Sequence, residues 1–169
     1  PTVFKLMLTN PAREKADLSA LRSICYGGAP MPPEAMASLQ DALEVNLFQG
    51  YGLTETSSLA TVMPFCDTNR KGMSVGVPVS EAQMRVVDDY GNDLPRDEVG
   101  ELWIKGPNVV RSYWNKPEAT EENLGGGWLR TGDYAYIDGE GFVYIVDRKK
   151  DMINRGGENV YSIEVEAAL

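Results

Sequence analysis

At Gly76-Val77-Pro78 the apolar pattern of this chain changes period, and that change restricts it to a fold of two unlike parts. Before it, short apolar runs alternate with helical spacing. Residues 3–8 read as an apolar helix ending at Asn10-Pro11, because proline disfavours helix in the residue before it. Ser23-Ile24-Cys25-Tyr26 reads as a short buried strand entering a glycine pair, with Cys25 a small buried hydrophobe. Pro32-Pro33 opens a helix, where proline is tolerated in the first turn. Met36, Leu39 and Leu43 then fall on one helical face and are core residues. Val45-Asn46-Leu47-Phe48 forms a second strand that feeds a glycine-bearing loop, and residues 59–63 form a third.

After Pro78 the pattern is β. Met84-Arg85-Val86-Val87 and Glu101-Leu102-Trp103-Ile104 are strands, separated by the turn residues 89–93. A plainer hairpin follows, with residues 134–137 and 142–146 joined at Asp138-Gly139-Glu140-Gly141. Strands at this spacing predict a small barrel or curled sheet. Asn115-Lys116-Pro117 starts a short helix, and Ser162 reads as the N-cap of another. The fold class is therefore α/β plus β.

Several kinds of chemistry are excluded. The chain has no histidine, which removes Ser-His-Asp and Cys-His hydrolases, His-ligated zinc and imidazole shuttles. Its formal net charge of -9 argues against a nucleic-acid partner. No apolar run reaches the roughly 20 residues of a transmembrane segment. Cys25 and Cys66 have no metal-like spacing, and a cytoplasmic protein with reduced thiols is the expectation.

What remains is carboxylate, hydroxyl and cationic chemistry, and three strings concentrate it. In Gly50-Tyr51-Gly52-Leu53-Thr54-Glu55, the glycines let a ligand approach the backbone. Tyr51 offers a flat face to a purine and a hydroxyl to keep one edge wet. Thr54 can donate to a phosphoryl oxygen, and Glu55 is a hard oxygen ligand suited to magnesium. In Arg130-Thr131-Gly132-Asp133, a carboxylate after a Thr-Gly turn that ends a strand can accept both hydroxyls of a ribose. In Asp147-Arg148-Lys149-Lys150-Asp151, Arg148 offers a rigid fork to ribose or phosphate oxygens, although the basic run also fits a solvated turn.

Each string alone is a weak match. Their order and spacing, preceded by Gly27-Gly28-Ala29-Pro30, resemble the nucleotide-handling signature of the adenylate-forming enzymes. The resemblance implies part of an α/β sheet subdomain over 1–76 and a small distorted β-barrel subdomain over 77–149. The start of a mobile C-terminal α+β domain would follow over 150–169. It further implies that Tyr51 stacks on adenine, Thr54 contacts the α-phosphate and Glu55 carries Mg2+, with Thr54 and Glu55 the catalytic pair. Gly27, Gly28, Ala29, Pro30, Gln49, Gly50 and Gly52 would line the adenine and acyl pocket, while Asp133 and Arg148 would grip the nucleotide. Lys150 stands at the hinge position.

Gly156-Gly157-Glu158-Asn159 resembles the loop bordering the pantetheine tunnel of CoA ligases, so Gly156 and Gly157 would meet coenzyme A. Asn154 stands where some relatives carry lysine, which leaves a CoA contact there in question. The implied activity is that of an AMP-forming acyl-CoA synthetase. Its substrates would be ATP, CoA and a small-molecule carboxylic acid, with a fatty acid expected; the acyl chain and oligomeric state stay open. Carrier-protein loading is the alternative within the enzyme class, and a non-catalytic nucleotide-binding piece the alternative outside it. The family's phosphate loop and its distal lysine have no counterpart in these residues, so the expectation is a central fragment, inactive alone.

Overall fold

The computed structural model describes residues 2–28, 31, 33–68, 70–155 and 158–161. Helix α1 (Thr2–Thr9) stops at Asn10, whose side chain accepts from the Ala12 amide and caps a short 3-10 turn at Pro11–Lys15. Strand β1 (Ser23–Gly27), helix α2 (Pro33–Leu43) and strand β2 (Asn46–Tyr51) make a βαβ unit with β1 and β2 parallel. Ile24, Tyr26 and Leu47 from the strands pack with Leu39 of α2 into one apolar cluster, against which Met36 and Leu43 also rest. The α2 core face thus lies where its spacing places it. Cys25 does not, because β1 buries one face only and strand alternation turns the thiol to the exposed face.

Strands β3 (Thr61–Val62) and β4 (Val77–Pro78) extend this sheet antiparallel in the order β1-β2-β3-β4. β3 is shorter than the five residues expected, and Leu59 lies outside it, 40% exposed. β2, conversely, runs through Gly50 and Tyr51, so the loop that carries the chemistry begins at Gly52.

The second sheet is an antiparallel meander of β5 (Gln83–Val87), β6 (Gly100–Lys105), β7 (Leu129–Ile137) and β8 (Val143–Arg148). Helix α3 (Pro117–Leu124) fills the β6–β7 connection. Leu102, Ile104 and Val143 are fully buried at its core, each contributing about 1.5–3 kcal/mol by leaving water. The sheet is open, not a closed barrel. The outer edge of β8 is taken by the segment before β4, where the Val75 amide donates to the Val143 carbonyl at 2.9 Å and the Val143 amide to Gly76 at 2.8 Å. That edge is unavailable to β5, so the two sheets join each other instead.

Side chains reinforce the junction. Ser74 Oγ donates to the Val143 carbonyl at 2.7 Å, and Lys71 Nζ reaches Asp138 at 2.6 Å and Glu140 at 2.8 Å in the β7–β8 turn. Beyond β8, β9 (Ile153–Arg155) and β10 (Glu158–Val160) pair antiparallel. The helix expected after Ser162 lies outside the described residues. Among those residues, no helix is long and apolar enough to cross a membrane.

Candidate functional site

The parallel register pairs Tyr26 with Gln49 and Gly27 with Gly50, which sets two of the singled-out segments side by side at the carboxyl ends of β1 and β2. Ligands of α/β sheets bind at this edge. Gly28 follows with a φ of +79°. Ala29 and Pro30 lie outside the described residues.

From Gly52 the chain folds back in a tight loop. A Cβ on Gly52 would stand 2.1 Å from the Ser58 carbonyl oxygen, so no larger residue fits there without moving backbone. Thr54–Thr56 form a 3-10 turn closed by buried Thr56, whose hydroxyl accepts from the Leu53 amide at 2.9 Å and donates to the Leu53 carbonyl at 3.0 Å. Ser57 and Ser58 both take positive φ, 53° and 89°, an unfavourable pairing for non-glycine residues. The segment after β6 holds the loop in that conformation. Asn108 Nδ2 donates to the Leu59 carbonyl at 2.9 Å, Ser57 Oγ to the Asn108 carbonyl at 2.9 Å, and the Val110 amide to the Glu55 carbonyl at 2.8 Å.

Thr54 is consequently exposed and Glu55 half-buried. The Tyr113 hydroxyl donates to Glu55 Oε1 at 2.8 Å. Burial first, then the carboxylate, pushes the Tyr113 phenol up to about 12, so it remains a neutral donor. Thr54 and Glu55 present oxygen donors only, which suits a hard cation. Among the described residues no three His, Cys, Asp or Glu cluster as a metal site, so a cation on Glu55 needs further oxygens from water or a bound phosphate. That donor set fits magnesium carried with a nucleotide.

Asp133 sits inside β7, not after a turn that ends a strand. Gly132, at φ +70°, and a register shift between Tyr134 and Ala135 let the strand run on while kinking it. The kink buries the Asp133 carboxylate. Its Oδ2 accepts from the Tyr51 hydroxyl at 2.6 Å, and Arg148 Nε approaches Oδ1 at 3.4 Å. Tyr51 therefore bonds a carboxylate, where its edge was expected to meet water. Burial raises the Asp133 carboxyl above its ordinary value, opposed by Tyr51 and Arg148. Burial and the facing carboxylate likewise push the Tyr51 phenol well up. The Thr131 hydroxyl accepts from the Asp133 amide at 3.1 Å and donates to the Leu102 carbonyl at 2.7 Å.

These pieces surround a cavity of about 460 Å³ lined by Gly52, Leu53, Thr54, Glu55, Tyr113, Asn123, Leu129, Arg130, Thr131 and Arg148. Loop 52–55, the start of β7 and the end of β8 thus meet at one space, with the Tyr51–Asp133 contact beside it. Gly27, Gly28 and Gln49 stay at the sheet edge and do not line it. Lys149 is tied to Glu101 at 3.1 Å and Asp89 at 3.3 Å, so the basic run is more than a solvated turn. Lys150 is exposed in the turn after β8. Gly156 and Gly157 lie outside the described residues. Tyr113, Asn123 and Arg130 are additions to the sequence-based set. Arg130 rests on the Trp103 ring at 5.0 Å, and Trp103 in turn carries Arg85 at 4.7 Å.

The family model described as "AMP-binding enzyme" matches residues 1–114. The long-chain-fatty-acid–CoA ligase of Yersinia pestis is 43% identical over 168 residues, covering 99% of this chain and 30% of that protein. A feruloyl-CoA synthase from an Amycolatopsis species is 41% identical over 169 residues, covering 100% of this chain and 34% of that protein. The O-succinylbenzoate coenzyme A synthetase of Bacillus subtilis, solved in complex with ATP and magnesium ion, superposes with a TM-score of 0.86 at 36% identity, covering 98% of this chain and 34% of that one. The chain spans about a third of the length of the curated relatives it matches.

Proposed function

The chain belongs to the family of AMP-binding, adenylate-forming enzymes, and we propose that it is the central part of an AMP-forming acyl-CoA synthetase. The observation that carries this reading is the convergence of loop 52–55, Arg130-Thr131 and Arg148 on one cavity. In the first half-reaction an acid carboxylate attacks the α-phosphorus of ATP. The bond to pyrophosphate breaks, leaving an acyl-adenylate. Thr54, exposed at the cavity, donates to an α-phosphate oxygen as charge shifts in the transition state. Glu55 is the carboxylate that would hold magnesium, whose charge offsets that of the phosphates. Asp133 accepts from the ribose, the Tyr51 ring lies against adenine, and the exposed Arg148 fork closes over ribose or phosphate oxygens.

In the second half-reaction the thiol of CoA attacks the acyl carbon and AMP leaves. We assign Lys150 to the hinge between the two arrangements and Gly156-Gly157 to the pantetheine path. The boundaries near 76 and 149 separate the α/β part, the β part and the start of the mobile domain. A cytoplasmic setting accords with ATP and CoA as substrates. The acid is taken to be fatty or aromatic, the two classes named among the relatives. The 169 residues alone are taken to be inactive, since the two arginines at the cavity, Arg130 and Arg148, offer too little charge for a triphosphate.

The test is carboxylate-dependent ATP–pyrophosphate exchange over aliphatic and aryl acids, run on this chain and on a version extended at both ends. Exchange in the extended protein supports adenylation and identifies the acid class. Thioester formation on CoA, but not on a carrier protein, supports the CoA reading over carrier loading. Absence of exchange with every acid in the extended protein overturns the proposal.

A further inference from the structure

Resting on that reading, we propose that the Tyr51 hydroxyl is a positioning group that sets the Asp133 carboxylate and thereby determines how strictly the site demands a ribose. The two residues come from different sheets, Tyr51 at the end of β2 and Asp133 in the kinked middle of β7, 82 residues apart. Their contact, at 2.6 Å, falls in the short range of a hydroxyl donating to a carboxylate. The carboxylate is held unevenly. Its side chain is 5% exposed and Oδ2 is fixed by the phenol. Oδ1, among the described residues, is approached by the Nε of Arg148 at 3.4 Å, from a side chain 56% exposed.

An incoming pair of hydroxyls therefore meets a carboxylate whose plane is fixed on one side by the phenol and covered on the other by the exposed Arg148 side chain, which must give way. Without the phenol the carboxylate can rotate about its own χ2, a broad torsion with no sharp minimum. It would then meet a single hydroxyl nearly as well as two. The ring of Tyr51 can still lie against a base after its hydroxyl is removed, so the two roles of one side chain separate experimentally.

The experiment measures the affinity of the full-length protein containing these residues for AMP, 2′-deoxy-AMP and 3′-deoxy-AMP, in wild type, Tyr51→Phe and Asp133→Asn. Hydrogen bonds to a charged group predict that wild type prefers AMP over either deoxynucleotide by about tenfold or more. Tyr51→Phe is expected to reduce that preference to about threefold or less, while losing less affinity for the deoxynucleotides than for AMP. Asp133→Asn is expected to abolish the preference, and adding Tyr51→Phe to it should change nothing further. Should Tyr51→Phe fail to fold, 3-fluorotyrosine in place of Tyr51 keeps the shape and strengthens the donor, and should widen the preference. An unchanged preference in Tyr51→Phe, or with the fluorinated residue, overturns the positioning role while Asp133→Asn still weakens AMP binding. If Asp133→Asn leaves AMP binding intact, the ribose reading falls and this inference falls with it.

Discussion

Tyr113 donates its hydroxyl to Glu55 Oε1 at 2.8 Å and so fixes one oxygen of the carboxylate at the mouth of loop 52–55. The neighbouring backbone fixes the residue too, through the Val110 amide and the Glu55 carbonyl. Glu55 therefore offers its second oxygen most freely to anything bound in the cavity. A carboxylate held in this way favours one-oxygen coordination of a small cation, which leaves room for the waters and phosphate oxygens that magnesium retains.

Removing that donor tests the arrangement. In the extended protein, Tyr113→Phe is expected to raise the magnesium concentration for half-maximal ATP–pyrophosphate exchange by about tenfold, as loss of an outer partner of a metal ligand does. The rate at saturating magnesium should change much less. A magnesium titration of exchange reads both quantities, and an unmoved midpoint denies Tyr113 any part in magnesium binding.

Gly52→Ala should be far more damaging than its size suggests. The added Cβ meets the Ser58 carbonyl at 2.1 Å and the Leu59 Cα at 2.9 Å, and both are backbone atoms. Overpacking of this kind costs about 1–3 kcal/mol. The only relief is to move the loop that presents Thr54 and Glu55. Thermal unfolding should show the lost stability, and nucleotide binding should fall further than that loss explains.

Lys71→Met is expected to lower the melting temperature without altering nucleotide affinity, because Lys71 ties the β7–β8 turn to the segment before β4, away from the cavity. Asp138 has a lowered pKa in the fold, with burial opposing its bonds to Lys71 and to the Phe142 and Glu140 amides. A depressed carboxyl adds stability above its unfolded value of 3.8, and loses it as pH falls through the lower folded value. The difference in melting temperature between wild type and Lys71→Met should therefore shrink on acidification below 3.8. A difference independent of pH would place the contribution of Lys71 in its packing on Phe142 at 5.0 Å.

The elements legible in the sequence are those that bury one face against a neighbour close in the chain. Leu39, Ile24 and Leu47 are spaced by helix and strand periods, and their cluster follows from that spacing. Cys25 breaks that pattern, since an apolar residue in an apolar string can still face outward when only one side of the strand is covered. The capping of the β8 edge is not legible for a different reason: Gly76 and Val143 meet through backbone groups, which carry no sequence pattern. Tyr113 was missed because it lies in a turn-rich segment without periodicity and acts 58 residues away from Glu55. Of the glycines at 50, 52 and 132, Gly52 opens a loop, whereas Gly50 lies inside β2 and Gly132 in the kink that lets β7 continue through Asp133.

That kink leads to the most demanding prediction. Burial raises the Asp133 carboxyl, so ionising it in the folded protein opposes folding. For a raised carboxyl the linkage runs opposite to that of Asp138: its contribution is fully present below the unfolded value of 3.8 and is lost as pH rises through the folded one. Asp133→Asn removes the buried charge while keeping an oxygen that can accept from Tyr51, and Arg148 is exposed enough to turn to water. The variant should therefore be at least as stable as wild type at neutral pH, and any advantage should narrow on acidification. Its affinity for ribonucleotides should fall at the same time. Gain in stability with loss of binding is the pattern expected of a charge kept for function. Thermal unfolding against pH, run beside AMP binding, measures both. A large loss of stability at neutral pH would mean that Asp133 is chiefly a structural anchor for Tyr51.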